Sequence, residues 1–116
     1  MGQPILLVAG ARPNFMKLAP VHRALSNQIK DVMVVHTGQH YDHIMSQIFF
    51  DELGIPIPDI HLGVGSGSHA IQTAKIMIEF EKLCDDISPR MVVVFGDVNS
   101  TVACSLVAAK MGITVA

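Results

Sequence analysis

Short apolar runs alternate along the chain with segments in which apolar residues recur every three or four positions. Runs of this length that are rich in β-branched residues are typical of buried parallel strands. The pattern predicts strands in PILLVAG (4–10), DVMVVHTG (31–38), RMVVVFGD (90–97) and ITVA (113–116). The helical period predicts helices within residues 13–28, 41–54, 68–89 and 99–112. Strands that alternate with helices at these lengths form βαβ units, so we predict an α/β fold with a parallel sheet.

Two features depart from this alternation. The stretch IPIPDIHLGVGSG (55–67) has two prolines, three glycines and no period, which predicts an extended loop. Because GVGSG lacks a P-loop lysine and follows no predicted strand, a flexible loop is favoured over a phosphate-binding loop. The chain also ends on its fourth predicted strand, whereas doubly wound sheets usually have five or six. We therefore expect residues 1–116 to be the N-terminal domain of a longer protein.

The composition indicates a sizeable core and no broad charge field. Half of the 116 residues are hydrophobic, 16% are charged and the formal net charge is −2. We therefore expect neither nucleic acid nor a membrane as partner, and any anion site must be local. The chain lacks the pattern of a signal peptide and any apolar run near ~20 residues, which predicts a cytoplasmic protein. Cys84 and Cys104 match no metal spacing and are predicted to be buried free thiols.

The turn after the first strand, GARPNFMK, carries two cations. Pro13 suits the first turn of a helix, whose free N–H groups would then face the edge where open parallel sheets bind ligands. Arg12 lies just before that turn, and Lys17 follows one helical turn after Pro13. A guanidinium, an ammonium group and a helix dipole together predict an anion cradle. The alternative is that Arg12 pairs with a carboxylate to fix the loop while Lys17 is solvated.

The turn after the third strand, FGDVNST, carries a carboxylate directly after a glycine. Asp97 could be a general base, an acceptor for a sugar hydroxyl, or a helix cap. Asn99, Ser100 or Thr101 could also cap the helix that follows.

The turn after the second strand, HTGQHYDH, offers two histidines. His40 and His43 are three residues apart and would share one face of a helix, which raises the possibility of a metal site. Two ligands with no third nearby are a weak signal, so we predict no metal. His40, at the exit of the strand, is better placed for a polar contact with a substrate.

In this order and spacing, GARPNFMKLAPV, HTGQHYD and FGDVNSTVACSL resemble the non-hydrolysing UDP-N-acetylglucosamine 2-epimerases of bacteria and archaea. The resemblance extends over essentially the whole chain. It implies a Rossmann-like parallel sheet with helices on both faces, as the N-terminal half of a GT-B-type two-domain architecture. It also implies a homodimer that holds UDP-N-acetylglucosamine and UDP in its interdomain cleft, without a metal or another cofactor.

The family's functional residues can be carried over by position. Its essential arginine and lysine fall on Arg12 and Lys17, and its first catalytic carboxylate falls on Asp97. Its glutamine–histidine pair falls on Gln39 and His40. In some bacterial members, the neighbourhood of that glutamine binds a second UDP-sugar as an activator.

The third motif adds Asn99 and Ser100 as candidates for substrate binding. Many members have threonine and glutamate where this chain has Ala11 and Asn14, which puts the contacts of those side chains in question. The family's further catalytic glutamates would lie beyond Ala116.

The resemblance implies a reaction that interconverts UDP-N-acetylglucosamine and UDP-N-acetylmannosamine. UDP leaves as the C2 proton is removed, and it adds back after a proton reaches the opposite face. Two alternatives stay open: a hydrolysing relative that releases UDP and free N-acetylmannosamine, and a non-catalytic domain that binds nucleotide sugars on the same scaffold.

Overall fold

The computed structural model describes residues 3–10, 12–28, 31–38, 59–64, 67–96 and 99–116. The predicted helix within residues 41–54 lies outside this part of the chain. So do Gln39, His40 and Asp97, and so does the side chain of Arg12.

Five parallel strands form one sheet in the described part of the chain. They are β1 (Ile5–Ala9), β2 (Val32–His36), β3 (Ile60–His61), β4 (Met91–Val94) and β5 (Thr114–Val115), in the order β3-β2-β1-β4-β5. In the central strand, Ile5 pairs with Val32 of β2 on one side and with Met91 of β4 on the other. All strands except β3 lie within the predicted apolar runs, so the predicted parallel sheet is confirmed.

Three described helices coincide with predicted helical segments to within two residues at each end. They are α1 (Arg12–Ser26), α2 (His69–Ile87) and α3 (Asn99–Lys110). Ser68 is the N-cap of α2, and its hydroxyl accepts a hydrogen bond from the Ile71 N–H at 3.1 Å. No described helix combines the length and apolarity needed to cross a membrane.

The prediction of a loop over residues 55–67 is wrong at β3, which pairs with the edge of β2. Asp59 is the reason, because it forms two hydrogen bonds with one residue of β2. Its carboxylate accepts from the Val34 N–H at 2.8 Å, and its own N–H donates to the Val34 carbonyl at 2.9 Å. The pairing continues past the strand, where the Leu62 N–H donates to the His36 carbonyl at 2.9 Å.

Helices cover both faces of the sheet. Phe15 and Leu18 of α1 pack on the face that includes Leu7 of β1. The side chains of α2 and α3 pack on the opposite face, which includes Leu6 and Val8. Burial on both faces explains why the run that forms β1 is continuously apolar rather than alternating. The predicted Rossmann-like arrangement is therefore confirmed.

Both cysteines are buried free thiols, as predicted. Burial, with a smaller contribution from Asp85, raises the pKa of Cys84 to about 11. Burial also raises the pKa of Cys104, with Cys84 as a second cause. Since the thiolate is the reactive form, these thiols pack in the core and are unreactive at neutral pH.

Two glycines after adjacent strands share a left-handed backbone conformation but differ in their surroundings. Gly38 follows β2 with φ 88°, and Gly63 follows β3 with φ 72°. A Cβ added at Gly38 would lie 2.8 Å from the backbone nitrogen of Val64, whereas a Cβ at Gly63 would meet nothing within 4 Å. Gly38 is therefore required for the close approach of the two chain segments, in addition to its backbone conformation.

Gly38→Ala should lower the free energy of unfolding by about 2–4 kcal/mol. About 1 kcal/mol comes from the left-handed conformation, and the rest from the clash with backbone. Gly63→Ala is the matched control and should lose about 1 kcal/mol, as measured by urea denaturation. Equal losses in the two variants would show that the contact with Val64 does not matter.

Candidate functional site

The candidate site lies at the carboxyl edge of the sheet, between β1 and β4. The chain runs from β1 to β2 on one side and reaches β4 on the other side. Such a topological switch point is where open α/β sheets bind ligands. Helices α1 and α3, which follow these two strands, both begin at this edge and cover opposite faces of the sheet.

The amide of Asn14 connects the start of α1 with the turn after β4. A Cβ added at Gly96, which has φ 80°, would lie 2.6 Å from Asn14 Nδ2. Asn14 is buried at 4% exposure, and its Oδ1 has no hydrogen-bond partner. The resemblance to the family marks Asn14 only as a departure. Its position four residues before Leu18 is the sequence signal that places Asn14 on the buried face of α1.

The two predicted cations both lie in the first turns of α1. Arg12 is the first residue of the helix, and its side chain lies outside the described part. Lys17 is exposed, and no carboxylate of the described residues forms an ion pair with it. The first turn of α1 carries no acidic residue. A helix N-terminus with a nearby lysine and no compensating acid is attractive to an anion.

The start of α3 is joined to the end of β2 by two buried hydroxyl groups. Ser100 Oγ and Thr37 Oγ1 form a hydrogen bond of 2.8 Å. Because β1 lies between β2 and β4 in the sheet, this contact crosses over the carboxyl end of β1. It gives Ser100 a structural role at the edge, and the predicted contact of Ser100 with substrate stays a prediction.

The side chain of Asn99 is held by α2. Its Nδ2 donates to Gln72 Oε1 at 2.8 Å and lies 3.0 Å from His69 Nδ1. The hydroxyl of Thr101 donates to the Phe95 carbonyl at the end of β4, at 2.9 Å. These contacts fix the first turn of α3 against α2 and β4. Asp97, the carboxylate predicted for this turn, lies outside the described residues.

His36, at the end of β2, is a buried histidine to which sequence analysis gave no role. Its Nδ1 accepts a hydrogen bond from the Gly38 N–H at 2.9 Å. Its ring packs against Phe15 with centroids 5.0 Å apart and stacks on His61 at 5.6 Å. Burial, followed by the effect of His61, lowers the pKa of His36 to about 4, so the ring is neutral at neutral pH. His36 therefore shapes the turn that leads to Gln39 and His40, which lie outside the described residues.

The described residues at this edge offer groups that could meet an anion or a polar ligand. Two helices begin here, the amides of Asn14 and Asn99 lie at their starts, and Lys17 lies exposed in the second turn of α1. Within the described ranges, no group of three or more histidine, cysteine or acidic residues could hold a metal ion. The arrangement suits a ligand that has both negative charge and hydroxyl or amide groups.

A hollow of about 360 Å³ lies elsewhere on the domain, between α2 and the segment after β3. It is lined by Leu62, Gly63, Val64, Lys75, Ile78 and Glu79. None of the residues predicted for the site lies in its wall, so the hollow is separate from the candidate site.

The chain is similar to a known family and to named proteins. Residues 23–116 match the family model described as UDP-N-acetylglucosamine 2-epimerase. A Methanocaldococcus jannaschii protein named UDP-N-acetylglucosamine 2-epimerase is 46% identical over 110 residues, which cover 95% of this chain and 30% of that protein. A Pseudomonas aeruginosa protein named UDP-2,3-diacetamido-2,3-dideoxy-D-glucuronate 2-epimerase is 42% identical over 113 residues, which cover 97% of this chain and 32% of that protein.

The fold is also similar to that of solved structures. A crystal structure of the Methanocaldococcus jannaschii UDP-GlcNAc 2-epimerase, in complex with UDP-GlcNAc and UDP, superposes with a TM-score of 0.92 at 44% identity. The superposition covers 97% of this chain and 31% of that one, so the chain spans about a third of the length of the relatives it matches. Since the family model matches most of the chain, these 116 residues belong to the UDP-N-acetylglucosamine 2-epimerase family.

Proposed function

We propose that residues 1–116 are the N-terminal domain of an epimerase that interconverts UDP-N-acetylglucosamine and UDP-N-acetylmannosamine. The observation that carries the proposal is that the first and third motifs meet at the switch point between β1 and β4, where Asn14 contacts Gly96. A relative that superposes on this domain was crystallised with UDP-GlcNAc and UDP. A diphosphate-linked sugar has negative charge and polar groups, and the helix N-termini and amide side chains at this edge could bind them.

The proposed mechanism is elimination of UDP followed by its re-addition. The C2 proton of the sugar is not acidic, so its removal needs another driving force. Cleavage of the C1–O bond supplies it, and a glycal forms as the proton leaves. Negative charge then builds on the diphosphate and positive charge at C1. Preorganised groups that match such developing charges lower the barrier.

Each charge has candidate residues at this edge. The N–H groups at the start of α1, with Lys17 and Arg12, would stabilise the departing diphosphate. Asp97, carried over from the family, would act as base or stabilise the positive charge at C1. The chemistry needs no metal or other cofactor, because the leaving group carries away the bonding electrons.

The remaining candidates are assigned to substrate binding. Asn99 is held by Gln72 and His69, so its amide is fixed in place before a ligand arrives. Gln39, His40 and Ser100 complete the proposed set of substrate contacts. Fixed polar groups bind without a further loss of side-chain entropy.

The proposal also covers the location, the oligomeric state and the second domain of the whole protein. We propose a cytoplasmic homodimer that has a second, nucleotide-binding domain and supplies sugars for a cell-surface polysaccharide. The support is the resemblance to the family, together with the match of this chain to about a third of each relative.

A second candidate substrate is a UDP-2,3-diacetamido sugar acid. The observation in its favour is the 42% identity to the Pseudomonas aeruginosa 2-epimerase, which approaches the 46% identity to the Methanocaldococcus jannaschii enzyme. Both candidates share the diphosphate and the inversion at C2, so the roles of Lys17 and Arg12 are the same for both.

The full-length protein should convert UDP-N-acetylglucosamine in heavy water into UDP-N-acetylmannosamine that carries deuterium at C2. Elimination and re-addition pass the C2 proton through a group that exchanges with solvent. NMR spectroscopy of the product measures both its identity and its label. Free N-acetylmannosamine would instead indicate a hydrolysing enzyme, and binding without turnover would indicate a non-catalytic domain. A C2-inverted product without deuterium would contradict the mechanism.

Lys17→Ala in the full-length protein should lower kcat and kcat/KM together, by about a hundredfold or more. Loss of one preorganised donor to a developing negative charge corresponds to about 2.7–4 kcal/mol. Lys110→Ala is the matched control, because Lys110 is also exposed but lies in the last turn of α3, at the opposite edge of the sheet. A raised KM with unchanged kcat would show that Lys17 binds the substrate and the transition state equally well. Kinetics equal to those of Lys110→Ala would show that Lys17 is a solvated surface lysine.

A further inference from the structure

The buried amide of Asn14 is a feature of the carboxyl edge that the proposed mechanism does not use. Asn14 is 4% exposed, and its Oδ1 is buried without a hydrogen-bond partner. A buried amide oxygen without a partner destabilises a protein, and native structures keep few such groups. An acceptor that is kept unpaired beside a ligand-binding edge therefore points to a partner on the ligand.

The position of this amide is determined by the two chain segments that meet at the switch point. Asn14 lies in the first turns of α1, and its neighbour Phe15 is anchored in the core between α1 and the sheet. The Nδ2 end lies so close to Gly96 that any side chain at residue 96 would collide with it. The amide is therefore packed in place at the edge, and a ligand reaches its buried Oδ1 only when the packing around that atom opens.

We propose that Asn14 is a specificity-determining residue that binds the sugar of the nucleotide sugar. Its Oδ1 accepts a hydrogen bond from a sugar hydroxyl or from the acetamido N–H. This inference rests on the proposed function, since it requires a nucleotide sugar at this edge. An amide oxygen only accepts hydrogen bonds, and the ionised diphosphate oxygens also only accept. The partner of Oδ1 must therefore be a donor. Donors flank the diphosphate on the ribose and on the N-acetylhexosamine, and the inhibition constant of UDP, which keeps the ribose, distinguishes the two.

The unpaired oxygen predicts that Asn14→Leu weakens substrate binding without lowering the stability of the protein. The leucine side chain is similar in size to that of asparagine but has no polar atoms. In the free protein Oδ1 makes no hydrogen bond, so its removal should leave the Tm unchanged or raise it. In the full-length protein the KM for UDP-N-acetylglucosamine should rise about tenfold, because the sugar loses its acceptor. The inhibition constant of UDP, which keeps the ribose but lacks the N-acetylhexosamine, should stay within about twofold of the wild type.

Asn14→Gln is the matched conservative variant, because it keeps an uncharged amide oxygen as acceptor and adds no negative charge beside the diphosphate. It should keep the KM within about threefold of the wild type while Asn14→Leu does not. This difference separates a hydrogen bond to the sugar from a general effect of altered packing.

Several results would overturn the inference while leaving the proposed function intact. One is wild-type turnover with an unchanged KM in Asn14→Leu. Another is a lowered Tm or failure to fold in Asn14→Leu, since either would assign the amide a structural role. An equal loss of affinity for UDP alone would place the contact on the nucleotide instead. Failure of the wild-type protein to bind or convert UDP-N-acetylglucosamine would overturn both proposals together.

Discussion

The central position of β1 in the sheet is the constraint on which the rest of the domain depends. Every residue from Ile5 to Ala9 is at most 4% exposed, and β1 hydrogen-bonds in parallel to β2 and β4. Burial on both faces requires a helix layer on each side, which α1 supplies on one face and α2 with α3 on the other. The chain adds β2 on one side of β1 and β4 on the other, and this strand order brings the starts of α1 and α3 to one edge. The candidate site is a consequence of this arrangement.

Polar contacts between distant parts of the chain hold that edge in place. The hydrogen bond between Thr37 and Ser100 crosses β1, and the amide of Asn99 is bound by Gln72 of α2. Each contact pairs groups that would be unfavourable if they were buried alone. Asn14 differs, because its Oδ1 stays unpaired while its Nδ2 packs against Gly96. Asn99 and Ser100 are thus held by the scaffold before a ligand binds, whereas the Oδ1 of Asn14 has no partner within the described residues.

Local pattern was enough to predict most of the described fold. The strands β1, β2 and β4 are short, largely apolar runs with several β-branched residues, and α1 and α2 have an amphipathic helical period, so these elements are encoded by their own residues. The helix α3 has only a weak period, and it was indicated by the polar residues at its start and by Gly112 after its end. The strand β3 was missed because it depends on Asp59, whose hydrogen bonds reach Val34 some 25 residues away. A pattern of apolar residues carries no information about such a distant partner. For the same reason, the joining of Ser100 to Thr37 and the burial of the Asn14 amide could not be predicted from spacing. The motifs indicated Lys17 and Asn99 because the helices that follow strands of a parallel sheet begin at its carboxyl edge.

The central claim is that the carboxyl edge between β1 and β4 holds the diphosphate of a nucleotide sugar. A crystal structure of the full-length protein with UDP-N-acetylglucosamine tests it most directly. We expect the diphosphate at the N-terminus of α1, with a phosphate oxygen within about 3.2 Å of Lys17 Nζ. A ligand bound away from this edge, for example in the hollow beside Lys75 and Ile78, would contradict the claim.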